Sequence, residues 1–282
     1  TLCKRMVRGR RKIMKAFVID LSVCNGCYAC QIACKDEHVG NDWTPYAKPQ
    51  PDTGHFWLGI KETVRGTVPK VMVTYVPMLC MHCADAPCMK ACKADAIYKR
   101  EDGLVIIDPE KCTGCKLCMD VCPYDAIFMN NGLNIAQKCT GCAHLLDDGW
   151  EVPRCVDNCP TDALRFGEEK DLKKYITKAE PIKPEVKLKT RVYYLNTPKK
   201  WVAGTLYDPK EKEVITGAIC TLTDCQSKET LAAETNAWGD FWFRGLSDNR
   251  KFNLKIEKGK KSVTIDSICT DIDRNLGDIA LK

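Results

Sequence analysis

The sequence predicts an α+β fold. A duplicated, cysteine-rich module spans residues 15–197, and a small all-β domain of about seven short strands spans residues 198–282. Three observations predict it. Of the 20 cysteines, all but Cys3, Cys220, Cys225 and Cys269 fall in four sets of four before residue 160. The residues flanking those sets repeat along the chain. From Trp201 onward, short alternating apolar runs bounded by turn residues replace the cysteine pattern. A length of 282 residues is in keeping with two domains.

Set I, CNGCYACQIAC, holds Cys24, Cys27, Cys30 and Cys34. Set II, CMHCADAPCMKAC, holds Cys80, Cys83, Cys88 and Cys92. Set III, CTGCKLCMDVC, holds Cys112, Cys115, Cys118 and Cys122, and set IV holds Cys139, Cys142, Cys155 and Cys159. Three thiolates two residues apart can wrap a loop round one face of an iron–sulfur cubane, with backbone N–H groups aimed at its sulfides. The fourth cysteine lies beyond a chain reversal, and in two-cluster ferredoxins it commonly serves the other cluster. Pro123 and Pro160 fix φ just after the last cysteine of sets III and IV and help turn the chain. Two other readings compete. Zinc sites use paired C-x2-C knuckles well separated in sequence, and disulfide scaffolds are usually much shorter chains. Tight grouping by fours favours [4Fe-4S] clusters over both.

The repeats support this. Ile19-Asp20 ahead of Cys24 recurs as Ile107-Asp108 ahead of Cys112. Cys92-Lys-Ala-Asp95-Ala96-Ile97 recurs as Cys122-Pro-Tyr-Asp125-Ala126-Ile127 and as Cys159-Pro-Thr-Asp162-Ala163-Leu164. Each copy reads as a short strand, a cluster loop, a short helix and a turn, with the aspartate capping or turning the chain and the alanine leaving room for a cluster. Four half-units make two bacterial-type 2×[4Fe-4S] ferredoxin modules, one nested between the halves of the other.

Composition narrows the function. The formal net charge is +6, but a cubane with its four thiolates carries about −2, so four would bring the total to roughly −2. The basicity is therefore no pointer to nucleic acid, and few aromatics interleave with the lysines of 170–200 and 251–261. No run approaches eighteen consecutive apolar residues, so no transmembrane helix and no direct membrane insertion is expected. Arg10-Arg11-Lys12 faintly resembles a twin-arginine motif, yet no apolar stretch follows it. Residues 1–14 read as a disordered extension, and the location as cytoplasmic.

Residues 35–79 exceed an ordinary ferredoxin loop and read as an insertion. Trp43, Tyr46, Phe56 and Trp57 there suit either a protein–protein contact or a cover for the cluster core. His82 and His144 lie inside cysteine sets and could tune a cluster through a hydrogen bond or simply pack. Lys111, Lys116 and Lys138 adjoin cysteines and could raise local reduction potentials; solvated lysines are the competing reading. Pro181 and Pro184 end any helix begun near Lys170, and Arg191–Leu195 reads as a strand laid back on the first module. In the second domain the expected strands are 201–206, 214–222, 229–234, 240–245, 251–257, 262–267 and 276–281, an antiparallel β-sandwich or barrel. No acid–base pair or metal quartet accompanies them, and Cys220, Cys225 and Cys269 read as buried small residues, with a disulfide or a fifth metal site as the competing reading.

Residues 15–197 resemble the four-cluster electron-transfer subunits of molybdopterin oxidoreductases of the dimethyl sulfoxide reductase family. The resemblance implies a particular sharing of ligands. Cluster A would take Cys24, Cys27, Cys30 and Cys159, and cluster B Cys34, Cys139, Cys142 and Cys155. Cluster C would take Cys80, Cys83, Cys88 and Cys122, and cluster D Cys92, Cys112, Cys115 and Cys118. It also implies a row of four cubanes serving a separate, larger catalytic subunit that carries molybdopterin with Mo or W, with an external electron carrier a further partner. Gly217-Ala218-Ile219-Cys220, Glu234-Thr235-Asn236, Gly239-x-Phe241 and Gly245-Leu246 resemble a transthyretin-like, carboxypeptidase-regulatory-like sandwich. With that appendage, with Gln137–Asp148 and with Arg191-Val192-Tyr193-Tyr194, the chain is most similar to the small-subunit group of pyrogallol–phloroglucinol transhydroxylase and resorcinol hydroxylase-type enzymes. In the transhydroxylase small subunit one cysteine set is degraded, whereas all four are intact here. An unbroken row fits net electron exchange, as in hydroxylation or reductive dehydroxylation. The expected role is thus a non-catalytic subunit of a heteromeric oxidoreductase acting on phenolic substrates. The alternatives are a subunit of a respiratory sulfoxide, oxyanion or formate enzyme, or a scaffold whose clusters are mainly structural.

Overall fold

The computed structural model describes residues 13–282. The expected N-terminal extension lies, for residues 1–12, outside the described residues. Met14 is already engaged, its carbonyl accepting the Glu169 N–H at 2.8 Å. The chain divides into two compact units, one of residues up to Lys61 together with Tyr75–Thr197, the other of Glu62–Thr74 together with Pro198–Lys282. Residues 62–74 thus fall in the second unit, although the sequence places them in the 35–79 insertion of the first. They are the tip of a long hairpin, Leu58–Thr67 paired with Lys70–Leu79.

In the first unit, Lys15–Asp20 is the central strand of three. It runs antiparallel to Leu164–Glu168, with Phe17 opposite Phe166, and parallel to Val192–Leu195, with Val18 opposite Tyr193. Ala16, Phe17, Val18 and Ile19 are all buried, so the strand reads as a continuous apolar run rather than an alternation. Two three-residue hairpins follow, Ile97–Lys99 with Val105–Ile107 and Phe128–Asn130 with Ile135–Gln137. The helix Ala29–His38 has ten residues; the others, Pro87–Ala91, Leu117–Asp120, Ala143–Asp147, Arg154–Asp157 and Lys173–Ile176, have four or five. Single turns of helix cannot sustain themselves in water; cysteine loops and packing hold them.

The repeat noted in the sequence has a shared backbone basis. Asp95, Asp125 and Asp162 all adopt positive φ, at 49°, 52° and 53°. Each donates its N–H to the carbonyl of the cysteine three residues before it, at 3.4, 3.2 and 3.4 Å. Aspartate tolerates this left-handed conformation better than most residues. The turn drives the following Ala96, Ala126 and Ala163, and then Ile97, Ile127 and Leu164, into the core.

The second unit holds two four-stranded sheets. One orders Glu213–Val214, Lys200–Asp208 and Asp240–Leu246, with Arg274–Ala280 also pairing with Lys200–Asp208. The other orders Thr230–Glu234, Ile219–Asp224, Lys251–Lys258 and Lys261–Cys269. Inward residues of both, including Val202, Leu206, Phe241, Leu222, Leu254 and Ile256, form one hydrophobic core. The expected strand 214–222 is split into 213–214 and 219–224, because Gly217 turns the chain at φ +65°. Cys220 is fully buried, as expected, whereas Cys225 and Cys269 are only partly so. The hairpin tip packs within this unit. Arg65 grips Asp273 through Nε and Nη2, both at 2.7 Å, and Lys70 pairs with Asp240. Gly66, at φ +92°, lies against Trp201 so closely that a Cβ there would meet the indole at 2.3 Å. Among the described residues no helix is long and apolar enough to cross a membrane.

Candidate metal centres

The structure gathers the sixteen cysteines into four groups. Cys24, Cys27, Cys30 and Cys159 line one cavity together with Gly26, Ile60 and Thr161; this is site A. Cys80, Cys83, Cys88 and Cys122 line another with Val105, Tyr124 and Ile127, site C. Cys92, Cys112, Cys115 and Cys118 line a third with Ala96, Lys116 and Ala136, site D. Cys34, Cys139, Cys142 and Cys155 are all buried and bear electrostatically on one another, site B. In every group three cysteines come from one set and the fourth from a different set. Among the described residues no three cysteine, histidine, aspartate or glutamate side chains are grouped tightly enough to hold a single metal ion; the sulfurs surround a space.

These thiols are poor homes for a proton's loss. Burial, reinforced by neighbouring cysteines, pushes Cys30, Cys83, Cys118 and Cys142 up to about 12. Burial does the same for Cys139, and lifts Cys34 and Cys155 well above the ordinary thiol range. Four sulfurs crowded into an apolar hollow become thiolates only when a strong positive charge sits among them, which is what a metal cluster provides. Cys159 differs. Burial works to raise it, but the N–H groups of Leu164, Thr161 and Ala163, with the Thr161 hydroxyl, bring it below the usual thiol range.

Backbone geometry supplies donors to sulfur. Ala136 N–H donates to Cys112 Sγ and Gly141 N–H to Cys139 Sγ, both at 3.3 Å. The loops demand glycine. Gly26 and Gly114 have φ of +69° and +68°, and a Cβ would lie 2.4 Å from the Tyr75 ring and from Asn134 Oδ1 respectively.

Neighbouring groups feel one another in a fixed order. Cys34 and Cys155 of site B interact with Cys30 of site A, Cys139 of site B with Cys80 of site C, and Cys118 of site D with Cys88 of site C. The order is A–B–C–D. Site A has an exposed cysteine in Cys27 and site D in Cys115, while site B is wholly buried.

The residues flanking the sites sort differently from one another. His82 is fully buried, its Nδ1 accepting the Val105 N–H at 3.0 Å. Burial first, then the charges of Lys138 and Arg191, hold its pKa well below the usual histidine value, so it stays neutral. His144 faces Glu37 across 3.0 Å and stacks on Trp43 at 4.3 Å between ring centres. His38, buried beside Trp57 and His144, is lowered to about 3 by burial and then by His144. Trp57 is buried and Trp43 packs on the same core, so both cover it; Phe56 stands at the surface. Lys111 and Lys116 are exposed, and Lys111 reaches Asp108 at 3.4 Å. Lys138 is only 2% exposed. Glu37 and Arg154, whose Oε2 and Nε lie 3.3 Å apart, flank site B and are not singled out by the sequence. The adjacency of Arg154 to Cys155 is the one signal that marks it.

Comparison with known proteins bears on what the cysteine sets are for. A family described as a 4Fe-4S dicluster domain matches residues 71–169, and one described as a 4Fe-4S binding domain matches residues 21–40. The pyrogallol hydroxytransferase small subunit of Pelobacter acidigallici is 40% identical over 281 residues, covering 94% of this chain and 98% of its own. The arsenate respiratory reductase iron-sulfur subunit of Shewanella sp. (strain ANA-3) is 32% identical, covering 64% of this chain and 95% of its own. The B subunit of the anaerobic dimethyl sulfoxide reductase of Escherichia coli (strain K12) is 33% identical, covering 69% and 97%. The cysteine loops and their frame are thus those of a ferredoxin-type 4Fe-4S protein. Within that class the protein belongs to the family of electron-transfer iron–sulfur subunits that includes these three relatives.

Proposed function

We propose that the chain conducts electrons through four [4Fe-4S] clusters, one at each of sites A to D, to or from a larger molybdopterin-containing catalytic subunit acting on polyhydroxylated aromatic compounds. The ligands would be the four cysteines of each site. Each cluster, when bound, supplies one-electron storage. The protein's own part is to exclude water, aim N–H donors at sulfur and set the local charge. The observation that carries this reading is the order of the cysteine quartets, A–B–C–D, with an exposed cysteine at each end and none at site B.

The phenolic substrate class rests on coverage. The arsenate and dimethyl sulfoxide relatives match 64% and 69% of this chain, whereas the pyrogallol relative matches 94%. The two-sheet unit therefore goes with the pyrogallol relative; we assign it to the transthyretin-like type, with the role of bracing the complex. Four intact quartets favour a reaction with net electron exchange. The chain itself would carry no catalytic residue and would work in the cytoplasm as part of a heteromer.

The test is anaerobic preparation of the chain with whatever subunit co-purifies. Iron and acid-labile sulfide should each approach about sixteen per chain, the co-purifying subunit should contain a pterin, and polyphenols should drive reduction or oxidation of a redox dye. Recovery of another metal, or of much less iron, would defeat the cluster assignment. A pterin-free preparation would defeat the subunit assignment.

A further inference from the structure

We propose that Lys138 is a fixed positive charge shared by the two inner sites, B and C, and that it raises the reduction potential of both above what the same cysteine cages would give alone. The proposal rests on the reading that the quartets hold [4Fe-4S] clusters. Lys138 is 2% exposed. Its Nζ donates to two carbonyls, that of Val105 and, at 3.1 Å, that of Cys139. Val105 lines the cavity of site C and Cys139 belongs to site B. The ammonium is therefore pinned where the two sites adjoin.

Both acceptors are neutral, and among the described residues no carboxylate pairs with Lys138. A buried ammonium without a counter-charge is strongly disfavoured. The contrast with Arg191 is direct: 8% exposed, it has its guanidinium on Glu169 at 2.7 Å. His82, the other titratable group packed here, is neutral and offers no negative charge. What remains to balance Lys138 is the negative charge of the clusters. Its two acceptors set it beside both inner sites, the Val105 carbonyl at the wall of site C and the Cys139 carbonyl at a ligand of site B. Lys111 and Lys116 adjoin ligands of site D but stand in solvent, where water screens them.

One electron added at B or C adds one negative charge, which the ammonium stabilises without a proton or any other group moving. The consequence is a potential profile along A–B–C–D whose two inner midpoints lie higher than they would without the ammonium, so that electrons are held more readily inside the chain.

Potentiometric EPR titration of the iron-replete protein, with its co-purified partner, tests this. Lys138→Met should lower two of the four midpoints and leave the other two in place. The unmoved pair should be the pair altered by Cys27→Ser and Cys115→Ser. Lys138→Arg should restore the profile, and Lys111→Met should leave the inner two midpoints alone. If Lys138→Met moves none of the four, or moves all four equally, the proposal is overturned. If Lys138→Met loses iron, Lys138→Arg decides: full iron with a restored profile shows that the charge is what the site needs, and equal loss in both variants overturns the proposal. Wild-type protein lacking four clusters' worth of iron and sulfide overturns the underlying reading instead, and the inference with it.

Discussion

The two units fill their interiors with different material. The second unit's core is Phe241, Phe243, Leu222, Leu254, Ile256 and their neighbours, contributed by strands of six to nine residues on two sheets. The first unit's core includes Cys30, Cys34, Cys80, Cys83, Cys88, Cys118, Cys139 and Cys155. Its two small hairpins are three residues to a strand, and its helices other than Ala29–His38 are four or five residues long. One interior is closed by apolar burial. The other sets hollows walled by sulfur among apolar side chains such as Phe17, Trp57, Leu79 and Phe166, and its single-turn helices cannot sustain themselves alone. The expectation is that the first unit's folding is coupled to cluster binding, while the second unit's folding proceeds on its apolar core alone.

Removing iron should separate the two units most strongly. Anaerobic chelation of the full chain should abolish amide-exchange protection across Lys15–Asp20 and the small hairpins, while Lys200–Asp208 and Lys251–Lys258 stay protected. Loss of protection in both units together, or in neither, would refute the division. A smaller effect is expected from the apolar side. Leu254 is fully buried at the centre of the second core, so Leu254→Ala should cost about 2–5 kcal/mol of that unit's stability. Iron content should be unchanged. A variant that sheds iron as it loses stability would show that the second core supports the cluster cages.

The same contrast explains what was legible in the sequence. Cysteine spacing is local chemistry, so the four sets and their repeats are plain in one reading, down to the aspartates that turn the chain after Cys92, Cys122 and Cys159. The strands of the second unit follow from alternation in runs such as Phe252-x-Leu254-x-Ile256, whose three apolar residues all face the core. Long-range events are not written locally. Nothing near residues 62–74 announces that Arg65 will grip Asp273 or that Gly66 will lie under Trp201. Nor does composition separate Lys138 from Lys111 and Lys116. All three adjoin cysteines, and only the fold buries one of them, by folding Val105 over its ammonium. Glu37 is invisible for a similar reason, since its partners His144 and Arg154 lie more than a hundred residues away.

The finest difference between the units is how they respond to acid. Asp224, at the end of strand Ile219–Asp224, accepts the N–H groups of Gln226 and Ser227 at 2.7 and 3.0 Å and the Arg250 Nη2 and Nε at 2.8 and 3.0 Å. Arg250 is the chief reason its carboxyl is lowered from 3.8 to about 2. A depressed carboxyl stabilises the fold at pH above its unfolded value, and that contribution fades as pH falls through the folded value. Wild type and Asp224→Asn should therefore differ most above pH about 4 and converge as pH drops toward about 2. Urea midpoints read from amide exchange in Lys251–Lys258 measure the gap. Asp208, lowered to about 2 mainly by Lys261, titrates in the same window in both proteins and cancels from the difference. A gap that holds constant down to the lowest pH, or widens, would show that Asp224 acts through its turn hydrogen bonds alone and not through its charge. Convergence would mark the second unit as acid-sensitive through an ion pair at its rim.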